Sequence, residues 1–163
     1  MTSSVFSMEN VFDTAIQIER NGESFYTKAA QHAWKSPLRE TLLELAHAES
    51  VHAASFAWIK ARLLDHSGKA KHADADGIVA RYLQGFSERM AFDMTGDAPL
   101  TASDTRGMKE LLKLAIERER DSILFYTGIH TALPEGADRD AIDAMITEEM
   151  AHLVALTMEL KEL

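Results

Sequence analysis

The chain contains no cysteine. That absence excludes disulfides, thiolate nucleophiles, sulfur-ligated zinc and iron–sulfur clusters, and leaves only imidazole and carboxylate to build a metal site. Proline (3) and glycine (8) are scarce among 163 residues, so few points force a helix to stop, and a disordered or fibrous Pro/Gly-rich chain is ruled out. Basic residues are in the minority, with 17 Lys and Arg against 26 Asp and Glu and a formal charge of −9. Phosphate backbones are held by clustered Lys and Arg, so no nucleic-acid partner is expected. Long apolar runs are missing as well: nothing approaches the roughly 20 residues of a membrane-spanning helix. Met1 to Asn10 also lacks the basic and apolar regions of an export signal. A cytoplasmic protein with no membrane partner is expected.

What the chain does have is apolar side chains, 46% of the total, enough for the core of one domain spanning residues 1–163. They recur at alternating steps of three and four, the period of an inward-facing helix seam. The first seam, about Ser7 to Trp34, reads Phe12, Ala15, Glu19, Gly22, Tyr26, Ala29 and Ala33. The second starts at Ser36-Pro37, a capping residue followed by a proline suited to the first turn, and reads Leu38, Leu42, Leu45, Glu49, His52, Phe56, Ile59 and Leu63. Residues from about 65 to 104 break into Gly, Asp, Ala and Ser punctuation around one amphipathic piece, Ile78 to Met90. A third seam, about Asp104 to Leu133, carries Met108, Leu112, Ala115, Glu119, Ser122, Tyr126 and Ile129 before Pro134 and Gly136 end it. The fourth carries Ile142, Met145, Glu149, His152 and Leu156. Short turns make two antiparallel hairpins, about 7–64 and 105–162, joined by a long crossover between the second and third helices. The expected fold is all-α: an antiparallel four-helix bundle.

The polar residues on these apolar seams are not scattered. Sliding the chain by 100 positions lays Glu19-Arg20 on Glu119-Arg120, Phe25-Tyr26-Thr27 on Phe125-Tyr126-Thr127, Glu49 on Glu149 and His52 on His152. Each hairpin thus contributes a Glu, a Tyr two turns further along, and a Glu-x-x-His pair. Residues three apart share a helix face, so Glu and His of each pair can serve one ion. Four carboxylates balance two divalent cations, and oxygen donors with one imidazole per ion suit iron, with manganese or zinc as possible substitutes. Buried carboxylates cost several kcal/mol each without a partner, so Glu19, Glu49, His52, Glu119, Glu149 and His152 are expected to converge on metal. Tyr26 and Tyr126 are expected to hydrogen-bond a ligand carboxylate or a metal-bound oxygen, the rival reading being ordinary core tyrosine. Gly22 and Ser122 are small where a seam usually carries Leu, which leaves either room for a small exogenous ligand or, at the glycine, a close helix contact.

Other polar features point elsewhere. Glu44 and His47 repeat the Glu-x-x-His spacing but lie off the seam and are assigned to solvent. Arg20, Glu23, Arg118, Arg120 and Glu148 are likewise expected in solvent or in surface ion pairs. His72, Asp74, Asp76 and Gly77 resemble the start of a calcium loop, but the first position is His and the twelfth is Leu83. His32, His66 and His130 have no partner at metal-ligand spacing.

The run Ile18-Glu19-Arg20-Asn21-Gly22-Glu23-Ser24-Phe25-Tyr26, the two Glu-x-x-His pairs and the segment Glu119 to Tyr126 resemble rubrerythrin-type proteins of the ferritin-like di-iron superfamily. The resemblance covers both hairpins. It implies a ferritin-like bundle holding two irons and no haem, an oxidoreductase reaction with hydrogen peroxide or dioxygen, and a homodimer or larger assembly. Two departures qualify it. Rubrerythrins proper carry a four-cysteine iron domain that delivers electrons, so an external, rubredoxin-like donor is expected here. They also carry an additional glutamate where this chain has Ser122. Bacterioferritins share the four-Glu, two-His set, which keeps a ferroxidase or iron-storage reading open, although their haem-binding Met position is Ser50 here and cage-forming ferritins lack this crossover. A bundle in which the metal only holds the fold is the third possibility.

Overall fold

In a computed structural model the described residues are 7–65, 77–93 and 104–163. They form five helices, α1 (Met8–His32), α2 (Ser36–Asp65), α3 (Ile78–Asp93), α4 (Thr105–Ala132) and α5 (Ala137–Glu162). The seams of the sequence become α1, α2, α4 and α5, and the amphipathic piece of the crossover becomes α3. No described helix is long and apolar enough to cross a membrane.

Helix boundaries follow local chemistry. Asp104 caps α4 by accepting from the Gly107 N–H at 2.8 Å. At the other end Leu133 is extended, as a residue before proline prefers, and α4 stops there. Gly136 opens α5 at φ 143°, a conformation that only glycine adopts without strain. Ser36 departs from its expected capping role: its hydroxyl donates to Glu40 Oε1 at 3.1 Å rather than accepting from a backbone N–H.

The core divides into two apolar clusters. One unites Val11, Phe12 and Ala15 near the start of α1 with Phe56 and Ile59 late in α2, Phe125 and Ile129 late in α4, and Ile142 and Met145 early in α5. The other unites Ala29 late in α1 and Ala33 just past its end with Leu38 and Leu42 early in α2, Met108 and Leu112 early in α4, and Leu156 in α5. Each hairpin is therefore antiparallel, and α1 also runs antiparallel to α4. On every long helix the stretch between the two clusters carries the Glu and His residues. α3 seals the first cluster with Leu83, fully buried. It lies so close to α4 that a Cβ at Gly128 would meet Leu83 and the Tyr82 ring at 2.8 Å.

Candidate metal centre

Six polar residues occupy the layer between the apolar clusters. Glu19 and Glu149 are 0% exposed, His52 1%, Glu119 3% and Glu49 5%, while His152 is partly buried. All six expected donors are present, and the helices bring them together in two groups. Glu19, His52 and Glu149 form one; Glu49, Glu119, Glu149 and His152 form the other, the donor atoms within each group lying within 4.8 Å of one another. Glu149 belongs to both. Its Oε1 lies 2.8 Å from His52 Nδ1 and its Oε2 3.0 Å from His152 Nδ1. The two imidazoles stack 5.8 Å apart, at 28°. His52 Nδ1 is 3.6 Å from Glu19 Oε2, and His152 Nδ1 is 3.8 Å from both Glu49 Oε1 and Glu119 Oε2. Of the two Glu-x-x-His carboxylates, only Glu149 spans the groups.

The tyrosines sit at the centre of the bundle, 2% and 0% exposed. Tyr26 on α1 donates to Glu119 Oε1 on α4, and Tyr126 on α4 donates to Glu19 Oε1 on α1. Each phenol thus fixes the carboxylate of the opposite hairpin and occupies one of its oxygens. Burial, followed by the adjacent carboxylates, raises both phenols well above their ordinary pKa, so they remain O–H donors.

Protonation in this layer reflects a site short of positive charge. Burial first, then Glu19, Glu119 and Glu149, push Glu49 well above the carboxylate range. Glu119 rises to about 8, through burial and then its neighbour Glu149. Glu149 goes the other way: burial alone would raise it, but Glu119, His152 and His52 as hydrogen-bonding partners hold it well below the usual range. Burial would also lower the imidazoles, yet Glu149 and Glu19 lift His52 to about 11, and Glu119 and Glu149 lift His152 to about 9. At neutral pH the free centre therefore keeps protons where a cation would sit. Ligation requires those groups deprotonated, so uptake of two divalent ions at pH 7 should release about two to four protons, and affinity should rise with pH. Calorimetry in buffers of different ionisation enthalpy measures this number directly; zero release would contradict the protonation described.

A cation pair fits the residues. Glu19 Oε2 and Glu49 Oε1 are buried with no hydrogen bond, although each such atom costs about 1–3 kcal/mol when unsatisfied, while the equally buried His52 Nδ1 and Glu149 Oε1 have each other as partners at 2.8 Å. Glu19 belongs to the first group and Glu49 to the second. Oxygen and imidazole donors without sulfur suit iron or manganese, and zinc as a substitute.

Gly22 makes this packing possible. A Cβ there would lie 2.8 Å from Glu49 Cδ and closer still to its Oε2. The space beside Gly22 is thus filled by the Glu49 carboxylate rather than left open. Gly22→Ala should gain roughly 1 kcal/mol of helix propensity while displacing Glu49. Metal affinity is then expected to drop about 10–100-fold, the range seen when a ligand loses its support, with no loss of thermal stability in the metal-free form. Metal titration beside a melting curve separates the two effects.

The remaining polar residues fall mostly where the seams put them. Glu44 and His47 are exposed, as are Arg20, Glu23, Arg120 and His32. Arg118 is only partly exposed and stacks over the Phe25 ring at 4.6 Å. His130 accepts from Arg139 Nε at 3.2 Å. His66, His72, Asp74 and Asp76 lie outside the described residues, while Leu83, the twelfth position of that calcium-loop pattern, is a buried core residue. Glu148 is the residue that the seam reading missed. Its side chain is 60% exposed, but Oε2 reaches His52 Nε2 at 2.8 Å. Its one readable signal is adjacency to Glu149.

No protein-family model and no curated protein matches the chain. Among solved structures, a Thermotoga maritima protein described as a ferritin-like diiron-carboxylate protein superposes with a TM-score of 0.66 at 25% identity, over 94% of each chain. That likeness, together with the buried Glu/His cluster, supports placing the chain in the ferritin-like di-iron superfamily.

Proposed function

We propose that the chain is a di-iron oxidoreductase that reduces hydrogen peroxide or dioxygen with electrons from a separate donor. The observation that carries this reading is the set of buried carboxylate and imidazole donors converging from four helices, two of whose oxygens have no hydrogen bond. Glu19 and His52 would hold one iron, Glu119, His152 and Glu49 the other, and Glu149 would serve both. When bound, two ferrous ions supply the two electrons that, with two protons, convert peroxide to two waters.

The protein's own contribution is geometry and exclusion of water. Tyr26 and Tyr126 each take one oxygen of Glu119 and Glu19, which limits how those carboxylates can turn. The apolar clusters above and below close the layer. The electrons would come from a rubredoxin-like donor, since none of these residues can hold iron through thiolates. Exposed apolar side chains along two helices, Leu43, Val51 and Trp58 on α2 and Met150, Val154 and Met158 on α5, support association with further copies.

Anaerobic stopped-flow mixing of the diferrous protein with peroxide is expected to show oxidation faster than that of free ferrous ion, with one peroxide consumed per two irons. A rate equal to that of free ion would end the peroxidase reading. The second reading, a ferroxidase, draws on the same four-Glu, two-His set and on Ser122 in place of the additional glutamate. Faster reaction with dioxygen than with peroxide, with an iron core accumulating in a cage resolved by size-exclusion chromatography, would favour it.

A further inference from the structure

The two hairpins repeat each other's donors but not their surroundings. At the residue before the Glu-x-x-His glutamate, α5 carries Glu148 and α2 carries Ala48. Glu148 Oε2 sits 2.8 Å from His52 Nε2, the ring nitrogen facing away from Glu19 and Glu149. His152 turns its Nδ1 to the carboxylates in the same way, but the position related to Glu148 by the repeat holds a methyl group that accepts nothing. The rings also differ in exposure, 2% for the His52 side chain and 12% for His152.

A neutral imidazole carries its proton on one nitrogen and offers a lone pair from the other. An acceptor on Nε2 keeps the proton there and leaves Nδ1 free to ligate, and a carboxylate acceptor also makes the ring a stronger donor. Glu148 does this for His52, and Ala48 cannot do it for His152. Resting on the two-metal reading above, we propose that Glu148 is a positioning residue that makes the two metal positions unequal. The position built from Glu19, His52 and Glu149 fills first and more tightly, and the one built from Glu49, Glu119, Glu149 and His152 fills second.

Zinc ion titrated into the metal-free full-length chain tests this, with calorimetry reading the two steps and nitrogen NMR of the histidine side chains reading their order. The wild type should show two steps about 10–100-fold apart in affinity, with the His52 ring nitrogens shifting first. Glu148→Ala should weaken the first step by about that factor and bring the steps together. Glu148→Gln, which still offers an acceptor to Nε2, should preserve the order and the Nε2–H signal. Ala48→Glu should strengthen the second step on its own, so the test does not depend on Glu148→Ala folding. Equal steps in the wild type, His152 responding first, or Glu148→Ala weakening both steps alike would overturn the inequality while leaving the two-metal centre intact. Failure of the wild type to bind two zinc ions would overturn both.

Discussion

Glu149→Gln is expected to lower affinity for both metal ions by roughly 100-fold or more, beyond the usual cost of losing an outer hydrogen-bond partner. Glu149 is the one carboxylate common to both donor groups, and each of its oxygens faces a different imidazole. The same change should destabilise the metal-free protein. Glu149 is held ionised and sits between two imidazoles raised to about 11 and about 9. Breaking a buried ion pair from one side costs about 3–5 kcal/mol. Because the imidazoles can shed their protons in response, the low end applies, a fall in Tm of about 6–12 °C for a chain of this size. Glu49→Gln is the natural control. Burial and three neighbouring carboxylates already keep Glu49 protonated, so a neutral isostere should reduce metal binding and leave the melting temperature of the metal-free protein almost unchanged. Calorimetric titration and thermal melts of the two variants, side by side, check the pattern. A Glu149→Gln protein that still takes up two ions with wild-type affinity would remove Glu149 from its shared role.

Metal loading should be the largest single stabiliser of the fold. Ions that bind only the folded chain add about 4 kcal/mol at a concentration 1,000 times their dissociation constant. For a domain of this length that is a rise in Tm of about 8–16 °C. The physical source is local. In the free centre Glu19 and Glu49 each hold a buried oxygen without a hydrogen bond, and the fold bears their desolvation until a cation arrives. Differential scanning calorimetry with and without ferrous ion or zinc, followed by chelator, should show the rise and its reversal. A melting temperature unmoved at saturating metal would mean that the donors do not close on an ion in the folded state.

Much of this centre was legible in the sequence because helix period reports both which face a residue takes and how high on the helix it sits. Glu19, Glu49, Glu119 and Glu149 share seams with Phe12, Leu45, Leu112 and Met145, and those seams meet in the core. Glu44 and His47 show the same rule in reverse, with the right spacing but the wrong phase, and they are exposed. Contacts between helices were harder to read. The seam placed Tyr26 two turns past Glu19, but only the antiparallel crossing of α1 and α4 sends its hydroxyl to Glu119 instead. Glu148 lies off the seam, as expected, yet a long side chain on an exposed position can bend back across a helix boundary to reach His52. Gly22 could be read as a gap, but not as a gap filled by Glu49, because its occupant comes from a different helix.

The exchange of phenols across the bundle carries an evolutionary implication. Tyr26 serves a carboxylate 93 residues away and Tyr126 one 107 residues away, so neither hairpin completes its own set of contacts. Two copies of a single hairpin, placed head to tail, would satisfy the same pattern, each lending its phenol to the other. Such a bundle is what a self-associating ancestor would leave behind after duplication and fusion. Substitutions like Ala48 against Glu148 would then record how the two descendants drifted apart once they shared one chain.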